Sequence, residues 1–459
     1  MTVQEQIERN RSAMTDSLRA LVQINSTCMP GEGGYPFGIG VHDCLEAALA
    51  LGASLGLATG RMGEMAGWCE WGEGAEMVAV LGHLDVVPAG DGWSRAPFGG
   101  QLENGRIYGR GTMDDKGPTL AALYALAALK ECAVPLGRRV RVLLGTNEET
   151  GSAGMKYYVE HGGELPVCGF TPDGEYPVIN GEKGIVNLGF RRQIVQTGAV
   201  QLCALSGGEA ANVVPAAAKA TLECPAALAQ QLVQRSTAQL SVIAIDGGVQ
   251  INATGVSAHG STPAQGENAI GRLLCALAAL PLSADLLQTV QFLAEKLGTE
   301  SDGTALGIAA SDAVSGALTL NLGVISGNKT GLCVQLNLRY PVTGSYEASV
   351  PPLQKAFADA GFTPTQLVHK AGFYFAPEHK LVAALCAVYT RETGLPAVPK
   401  CIGGGTYAKV IPNIVAFGPI FPGDEIREHK PDEFIEQKQL VKNAQIIAAA
   451  MRALANDRT

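Results

Sequence analysis

Short apolar runs that end in polar residues recur along the first part of the chain. The run Met77–Leu81 reads MVAVL and predicts a buried strand, and Arg139–Leu144 and Val167–Phe170 predict two more. Helical periodicity predicts helices at Gly40–Leu55 and Thr119–Cys132. Strands that alternate with helices are typical of an α/β sheet, which binds ligands at the carboxyl ends of its strands. We therefore expect an α/β domain with a polar site at one sheet edge.

The pattern changes near Lys183. Strand-like runs such as Gly184–Arg191 and Cys333–Tyr340 then mix with helical runs such as Ala284–Leu297, which is typical of an α+β domain. From about Pro377 the chain returns to a helix, a glycine-rich loop, a strand and a closing helix. At 459 residues the chain exceeds what one core usually organises, so two domains are expected. We predict an α/β domain at 1–183 and 377–459, interrupted by an α+β domain at 184–376.

Charge and composition exclude several classes of partner. The formal net charge of −9 argues against binding to nucleic acid or to an anionic membrane. No run approaches the roughly 20 uncharged apolar residues of a membrane span. The opening segment carries charge throughout, so we expect no secretory signal. Eleven cysteines without a C-x-x-C pair are typical of a reducing compartment, and we expect a cytoplasmic protein.

A first candidate for chemistry is the segment GHLDVVPAGDGW. His83 directly follows the first predicted strand, and Asp85 comes two residues later. A metal-bound histidine usually donates its other ring N–H to a carboxylate, and Asp85 is placed for that role. The alternative is a simple turn at the strand end, closed by Pro88 and Gly90, and this segment alone favours neither reading.

Two pairs of adjacent acids follow. Asp114 and Asp115 lie in YGRGTMDDKGP before a predicted helix, where capping of the helix would explain one aspartate but not both. Glu148 and Glu149 lie in GTNEETGS after a predicted strand, and they repel each other unless a cation or proton separates them. A solvated turn is the alternative. The functional reading makes one glutamate a metal ligand and the other a general base.

Two more residues complete a possible metal site. Asp173 in TPDGEYP would supply a further oxygen ligand, and His429 in EHKPDEF a second nitrogen. Two histidines and three carboxylates suit two zinc-like ions that share a bridging carboxylate. Such a pair of ions lowers the pKa of a bridging water and polarises a substrate carbonyl.

Seven motifs in this order resemble the bacterial dipeptidase V type of metallopeptidase, which is related to carnosinases, acetylornithine deacetylase and succinyl-diaminopimelate desuccinylase. The motifs are GHLDVVPAGDGW, GRGTMDDKGP, NEETGS, TPDGEYP, AHGSTPA, GGGTYA and EHKPDEF. The resemblance implies a co-catalytic zinc peptidase fold, in which a mixed sheet flanked by helices forms the catalytic domain and the inserted α+β domain is a lid. It also implies a monomer that hydrolyses unblocked dipeptides. The alternatives are an N-acyl amino-acid deacylase or desuccinylase with the same metals, and a non-catalytic binding module.

The resemblance also implies roles for the residues of the site. His83 and Asp173 would hold one metal ion, and Glu149 and His429 the other. Asp114 would bridge the two ions, because related sequences read Asp, any residue, Lys, Gly. Glu148 would be the general base and Asp85 would orient His83. Zinc is the expected metal, with manganese or cobalt as alternatives, since carboxylate-rich sites accept several divalent ions.

Further roles fall on the middle domain and the glycine-rich loop. His259 in AHGSTPA would stabilise the oxyanion. Arg339 in NLRYP would bind a free carboxylate of the substrate. Asn212 is a candidate substrate contact, with a turn role as the alternative. Backbone N–H groups of the glycine-rich loop would bind the same carboxylate. The loop residues are Gly404, Gly405 and Thr406.

Overall fold

The chain forms two compact units. The structure, a computed structural model, describes residues 1–457. The first unit comprises Met1–Asn180, Phe375–Lys400 and the described residues from Gly405 onward, and the second comprises Gly181–Tyr374 and Cys401–Gly404. The division expected from the sequence, with limits after residues 183 and 376 and with catalytic and lid roles for its parts, stays a prediction.

Residues 1–457 form eleven α-helices and twenty-two strands. The helices are α1 (Val3–Arg9), α2 (Arg11–Val22), α3 (Ile39–Ser54), α4 (Lys116–Glu131), α5 (Ala153–Glu160), α6 (Ala226–Val233), α7 (Ala269–Ala278), α8 (Ala284–Leu297), α9 (Tyr346–Asp359), α10 (Lys380–Thr393) and α11 (Gln437–Asn456). The strands are β1 (Ala58–Met62), β2 (Ala66–Trp71), β3 (Met77–His83), β4 (Gln101–Glu103), β5 (Arg106–Tyr108), β6 (Arg139–Gly145), β7 (Cys168–Thr171), β8 (Ile179–Glu182), β9 (Gly184–Gln193), β10 (Gln201–Gly207), β11 (Ala217–Glu223), β12 (Leu240–Ile245), β13 (Gly248–Thr254), β14 (Ser311–Asp312), β15 (Gly316–Ala317), β16 (Thr319–Asn328), β17 (Gly331–Tyr340), β18 (Thr363–Lys370), β19 (Phe373–Tyr374), β20 (Lys400–Ile402), β21 (Ile414–Ala416) and β22 (Phe434–Glu436).

The first unit is built on a mixed sheet with the strand order β1-β2-β6-β3-β7-β21-β8. Strands β6, β3, β7 and β21 run parallel, with Val80 opposite both Val142 and Phe170, and β1 and β2 add antiparallel strands on one side. Every residue of β3 is buried, which explains its unbroken apolar sequence. Helix α4 is apolar nearly all round and is correspondingly buried from Lys116 to Leu129.

The second unit is built on an antiparallel sheet of eight strands, in the order β12-β13-β11-β10-β16-β17-β9-β18. Alternate residues of β11 and β13 are buried, so one face of the sheet packs on the core. Helix α7 packs on this sheet and begins where the Asn268 side chain accepts the N–H groups of Ile270 and Gly271. Strand β16 contains a bulge between Leu322 and Val324.

The fold predicted from the pattern is confirmed: a mixed sheet with helices, and an α+β arrangement in the middle of the chain. The parallel strands β3, β6 and β7 end at His83, Gly145 and Thr171. Because parallel strands end at the same edge of a sheet, the residues that follow them lie together there. Among residues 1–457, no helix is long and apolar enough to cross a membrane.

Candidate metal centre

The five predicted metal ligands all belong to the first unit. His83 is the last residue of β3, Asp114 precedes α4, and Glu149 and Asp173 follow β6 and β7. His429 comes from the loop before β22, far along the chain, and has a positive φ of 58°. Three of the five, His83, Glu149 and Asp173, thus come from the carboxyl ends of the parallel strands β3, β6 and β7, as the α/β pattern predicted.

Asp114 lies between the two histidines. One of its carboxylate oxygens, Oδ1, is 3.0 Å from His83 Nε2, and the other, Oδ2, is 2.9 Å from His429 Nε2. Burial on its own would raise the pKa of Asp114, but hydrogen bonds from His429 and His83 hold that pKa well below its usual range. One carboxylate with an oxygen on each histidine has the geometry of a bridging ligand.

The remaining two predicted ligands, Glu149 and Asp173, each lie near one of the two histidines. His429 Nε2 is 3.2 Å from Glu149 Oε1, and His83 Nε2 is 3.9 Å from Asp173 Oδ2. Two ligands at about 2.0–2.1 Å from a tetrahedral zinc ion are separated by about 3.3 Å. The ligand atoms therefore lie at separations that fit two ion positions, one on the His83 side and one on the His429 side of Asp114.

The carboxylates of the cluster favour the binding of positive charge. Burial alone would lower the pKa of both histidines, but their carboxylate partners raise the pKa of His83 well above its usual value and that of His429 to about 11. Burial and the neighbouring Asp114 raise the pKa of Glu149. The cluster thus binds protons tightly when no other cation is there, and divalent ions would supply the same compensation.

Asp115 has different partners from Asp114, although the two are adjacent and joined by a cis peptide bond. Its Oδ2 accepts the backbone N–H of His83 at 3.1 Å and the hydroxyl of Thr119 at 2.9 Å. A Cβ at Gly82 would lie 1.9 Å from that hydroxyl oxygen, so glycine is needed for this approach. Asp115 therefore holds the end of β3 to the start of α4.

Asp85 has a wider role than the sequence indicated. We expected its carboxylate to accept the His83 ring N–H. The nearest acceptor of Nδ1 is instead the Asp85 main-chain oxygen at 2.9 Å, with Oδ1 at 3.5 Å. The carboxylate accepts the backbone N–H groups of Glu148 and Glu149 at 3.0 and 3.1 Å. Asp85 thus fixes both glutamates relative to His83.

Sequence reasoning missed one buried acid, Glu433. It is fully buried, its Oε1 accepts the N–H groups of Gly111, Met113 and Asp114 at 3.0, 2.8 and 3.2 Å, and its Oε2 pairs with Arg110 at 2.7 Å. Burial and the nearby Asp114 raise the pKa of Glu433 to about 7. Its place four residues after His429 in EHKPDEF was the available signal.

Arg339 is the most distinctive of the predicted substrate contacts. Within the second unit it is 3% exposed, donates from Nε to Asn337 Oδ1 at 2.9 Å, and donates from Nη1 to the main-chain oxygen of Gly403. Burial lowers the pKa of Arg339 to about 10, and no acidic neighbour among residues 1–457 offsets this effect. A buried guanidinium without a carboxylate partner can receive an anion.

In the second unit, the segment that carries His259 contacts both Asn212 and Gly403. His259 Nδ1 lies 2.5 Å from Ser261 Oγ, and a Cβ at Gly403 would lie 2.8 Å from Ser261 Cβ. The main-chain oxygen of Asn212 accepts the N–H of Gly260 at 2.7 Å. Both the His259 and the Asn212 side chains are exposed.

The glycine-rich loop is divided between the units. Gly404 belongs to the second unit, and Gly405 and Thr406 belong to the first. The Thr406 side chain accepts the N–H of Ala408 at 3.1 Å and caps a short 3-10 turn. The next residue, Tyr407, is buried with its ring edge-on to His83, at 6.3 Å between centroids.

Comparison with known proteins identifies the family. The model of peptidase family M20/M25/M40 matches residues 79–453 of the chain, which is well over half of it. The chain therefore belongs to this family and is a metallopeptidase. The family is metal-dependent, and the first unit has the histidine and acidic groups that could hold a metal ion.

Several curated proteins and solved structures are similar over nearly their whole length. "Putative dipeptidase YtjP" of Bacillus subtilis (strain 168) is 37% identical over 478 aligned positions, covering 99% of this chain and 100% of that protein. "Beta-Ala-Xaa dipeptidase" of Lactobacillus delbrueckii subsp. lactis is 32% identical, covering 100% of this chain and 99% of that protein. The crystal structure of human carnosine dipeptidase 1 has a TM-score of 0.60 at 15% identity, covering 99% of this chain and 98% of that one. At that identity the likeness shows the fold alone.

Proposed function

We propose that the chain hydrolyses the peptide bond of unblocked dipeptides at a centre of two metal ions. The observation that carries the proposal is Asp114, whose two carboxylate oxygens lie 3.0 and 2.9 Å from the ring nitrogens of His83 and His429. Two similar bacterial proteins are named as dipeptidases, and these names support the choice of substrate.

The assignment of residues to the metals is the one that the resemblance implies, and the separations of their atoms support it. His83 and Asp173 would hold one ion, Glu149 and His429 would hold the other, and Asp114 would be shared by both. Zinc suits this mixture of nitrogen and oxygen ligands, with manganese or cobalt as alternatives. Two bound ions would supply Lewis-acid polarisation of the scissile carbonyl and a water of lowered pKa.

Glu148 is the general base in this proposal. Asp85 fixes its backbone N–H, and one of its carboxylate oxygens lies within 4.8 Å of ligand atoms of His83 and Asp173. Its side chain is only partly buried, so water and substrate can reach it. Glu148 accepts a proton from the attacking water and returns it to the amine that leaves when the peptide bond breaks.

Residues of the second unit and the glycine-rich loop bind the peptide. The buried guanidinium of Arg339 has no acidic partner in the described part of the chain, and it takes the free carboxylate of the dipeptide. His259 stabilises the oxyanion with its exposed imidazole. Asn212 and the backbone of the glycine-rich loop add contacts; the loop residues are Gly404, Gly405 and Thr406.

We also propose a cytoplasmic location and a monomeric state for the enzyme. The eleven cysteines are all free thiols in the structure, which suits a reducing cytoplasm. A monomer is the state expected from the dipeptidase V resemblance. Gel filtration with light scattering checks the oligomeric state directly.

Substrate choice is tested with a matched panel of compounds. Unblocked dipeptides, the same dipeptides N-acetylated, and N-acetyl or N-succinyl amino acids are offered to the metal-loaded enzyme. The proposal predicts cleavage of the unblocked set, with values of kcat/KM at least about tenfold above those of the acylated sets. Cleavage of the acylated compounds alone would refute the dipeptidase assignment and indicate a deacylase.

A further inference from the structure

We infer that a row of three asparagines in the second unit positions the proposed substrate contacts; the inference rests on the proposed function. The asparagine row consists of Asn187, Asn337 and Asn321, on the neighbouring strands β9, β17 and β16. Asn337 lies opposite Asn187 in one strand pair and opposite Asn321 in the next. Asn321 and Asn337 are 2% and 1% exposed, so their amides must find partners inside the protein.

From its Asn187 end, the asparagine row orients Arg339 through Asn337. Asn337 donates from Nδ2 to Asn187 Oδ1 at 2.7 Å, which leaves its Oδ1 directed at Arg339 Nε, 2.9 Å away. The bond from Arg339 Nη1 to the Gly403 main-chain oxygen fixes the guanidinium at a second point. Because water is excluded at this depth, these two bonds define the plane of the guanidinium.

An asparagine at position 337 orients this arginine without neutralising it. A carboxylate in the same place would form an ion pair with Arg339 and compete with any anion that the guanidinium could bind. The neutral amide supplies the same acceptor geometry and leaves the positive charge available. This is why we regard Asn337 as a positioning residue for carboxylate recognition, beyond its contribution to the sheet.

The other end of the asparagine row holds the segment that supports the His259 loop. Asn321 donates from Nδ2 to the main-chain oxygens of Ala211 and Val213, at 2.8 and 2.9 Å, on either side of Asn212. The main-chain oxygen of Asn212 in turn accepts the N–H of Gly260, which follows His259.

A glycine in β16 permits this contact. A Cβ at Gly323 would lie 2.3 Å from the Ala211 main-chain oxygen, so only glycine lets the segment approach so closely. Through Asn321, the row therefore connects strand β16 to the loop that carries the proposed oxyanion contact.

The substitution Asn337→Asp tests the role of Asn337 in positioning Arg339. The new carboxylate would pair with Arg339, so KM for an unblocked dipeptide should rise at least about tenfold while kcat stays within about threefold. The same dipeptide with a C-terminal carboxamide should be cleaved as before. The matched control is Asn252→Asp on β13, where the side chain forms hydrogen bonds with Ser241 and Gln250, and both substrates should behave as with the wild type.

The outcomes separate this inference from the proposed function. If the wild type does not prefer the free acid to the carboxamide, the role proposed for Arg339 fails. If Arg339→Met abolishes that preference but Asn337→Asp keeps it, only the inference is overturned. Equal losses on both substrates in Asn337→Asp would also overturn it, because they indicate a purely structural role.

The substitution Asn321→Ser tests the role of Asn321 in holding the segment behind His259. Serine is a small polar side chain and is less disruptive than an apolar one. Loosening the segment behind His259 should lower kcat about tenfold and leave KM within about twofold. Wild-type kcat in a folded Asn321→Ser protein would overturn the role proposed for Asn321. A proportional rise in KM for both the acid and the carboxamide would overturn it as well.

Discussion

The buried pair of Glu433 and Arg110 yields the sharpest prediction for the metal centre. In Glu433→Gln, the volume is kept but the negative charge is lost, and a side-chain amide replaces the carboxylate oxygen that faces Arg110. The three backbone N–H groups that now meet a carboxylate, including that of Asp114, would meet a neutral carbonyl. The loop that carries the bridging ligand would therefore be held less firmly.

The magnitude follows from the burial of both partners, 0% and 2% exposed at the side chain. Above pH 7, where Glu433 is mostly ionised, removing its charge from this pair costs about 3–5 kcal/mol, because the charge of Arg110 is left uncompensated; unfolding is therefore measured there. Against the roughly 5–15 kcal/mol of an ordinary domain, the variant should still fold. Metal affinity should fall about 10- to 100-fold, as for other groups that orient metal ligands.

Two assays measure these effects separately. Denaturant unfolding of the metal-free protein reports the free energy of unfolding, and competition with a chromophoric chelator reports metal affinity. The matched control is Glu103→Gln, the same change in an exposed pair with Arg95, which should alter neither quantity. Wild-type metal affinity in a folded Glu433→Gln protein would refute the claim that Glu433 positions Asp114.

Three further predictions concern the metal cluster. Glu148→Ala should keep both metals while losing about 10²- to 10⁴-fold in kcat, and metal loss in this variant would contradict its assignment as the base. Asp114→Ala should lower the metal content more than Asp115→Ala does, and equal contents would mean that the wrong aspartate was chosen as bridge. The pKa of His429, raised to about 11, means that this histidine carries a proton at neutral pH without metal, so metal binding must release a proton and weaken as the pH falls. Calorimetry in two buffers of different ionisation enthalpy measures this release, and identical heats would count against it.

The sequence predicted the sheet edge and its site because each relevant signal is local. His83, the glutamate pair and Asp173 each come directly after an apolar run, and parallel strands bring such residues together whatever the details of packing. The adjacency of Asp114 and Asp115 was equally visible. Local signals could not show that Asp114 and Asp115 have different partners. That difference depends on the contact of Asp115 with Thr119 and the end of β3.

The parts that could not be predicted depend on contacts between distant segments. Glu433 meets Gly111 across 322 positions of the chain, and nothing near either residue indicates the pairing. An acid in EHKPDEF reads as a solvated residue until its burial is known. The asparagines Asn321 and Asn337 alternate with leucines in their strands, which is also the pattern of an exposed sheet face. Only the strand register places them side by side.

A metal titration of the chelated enzyme tests the central claim most directly. Zinc or manganese is added in steps while the bound metal and the hydrolysis of an unblocked dipeptide are measured on the same samples. A centre bridged by Asp114 predicts that activity is absent without metal and reaches its plateau at two ions per chain. Activity that survives complete chelation, or full activity at one bound ion, would contradict the two-metal account.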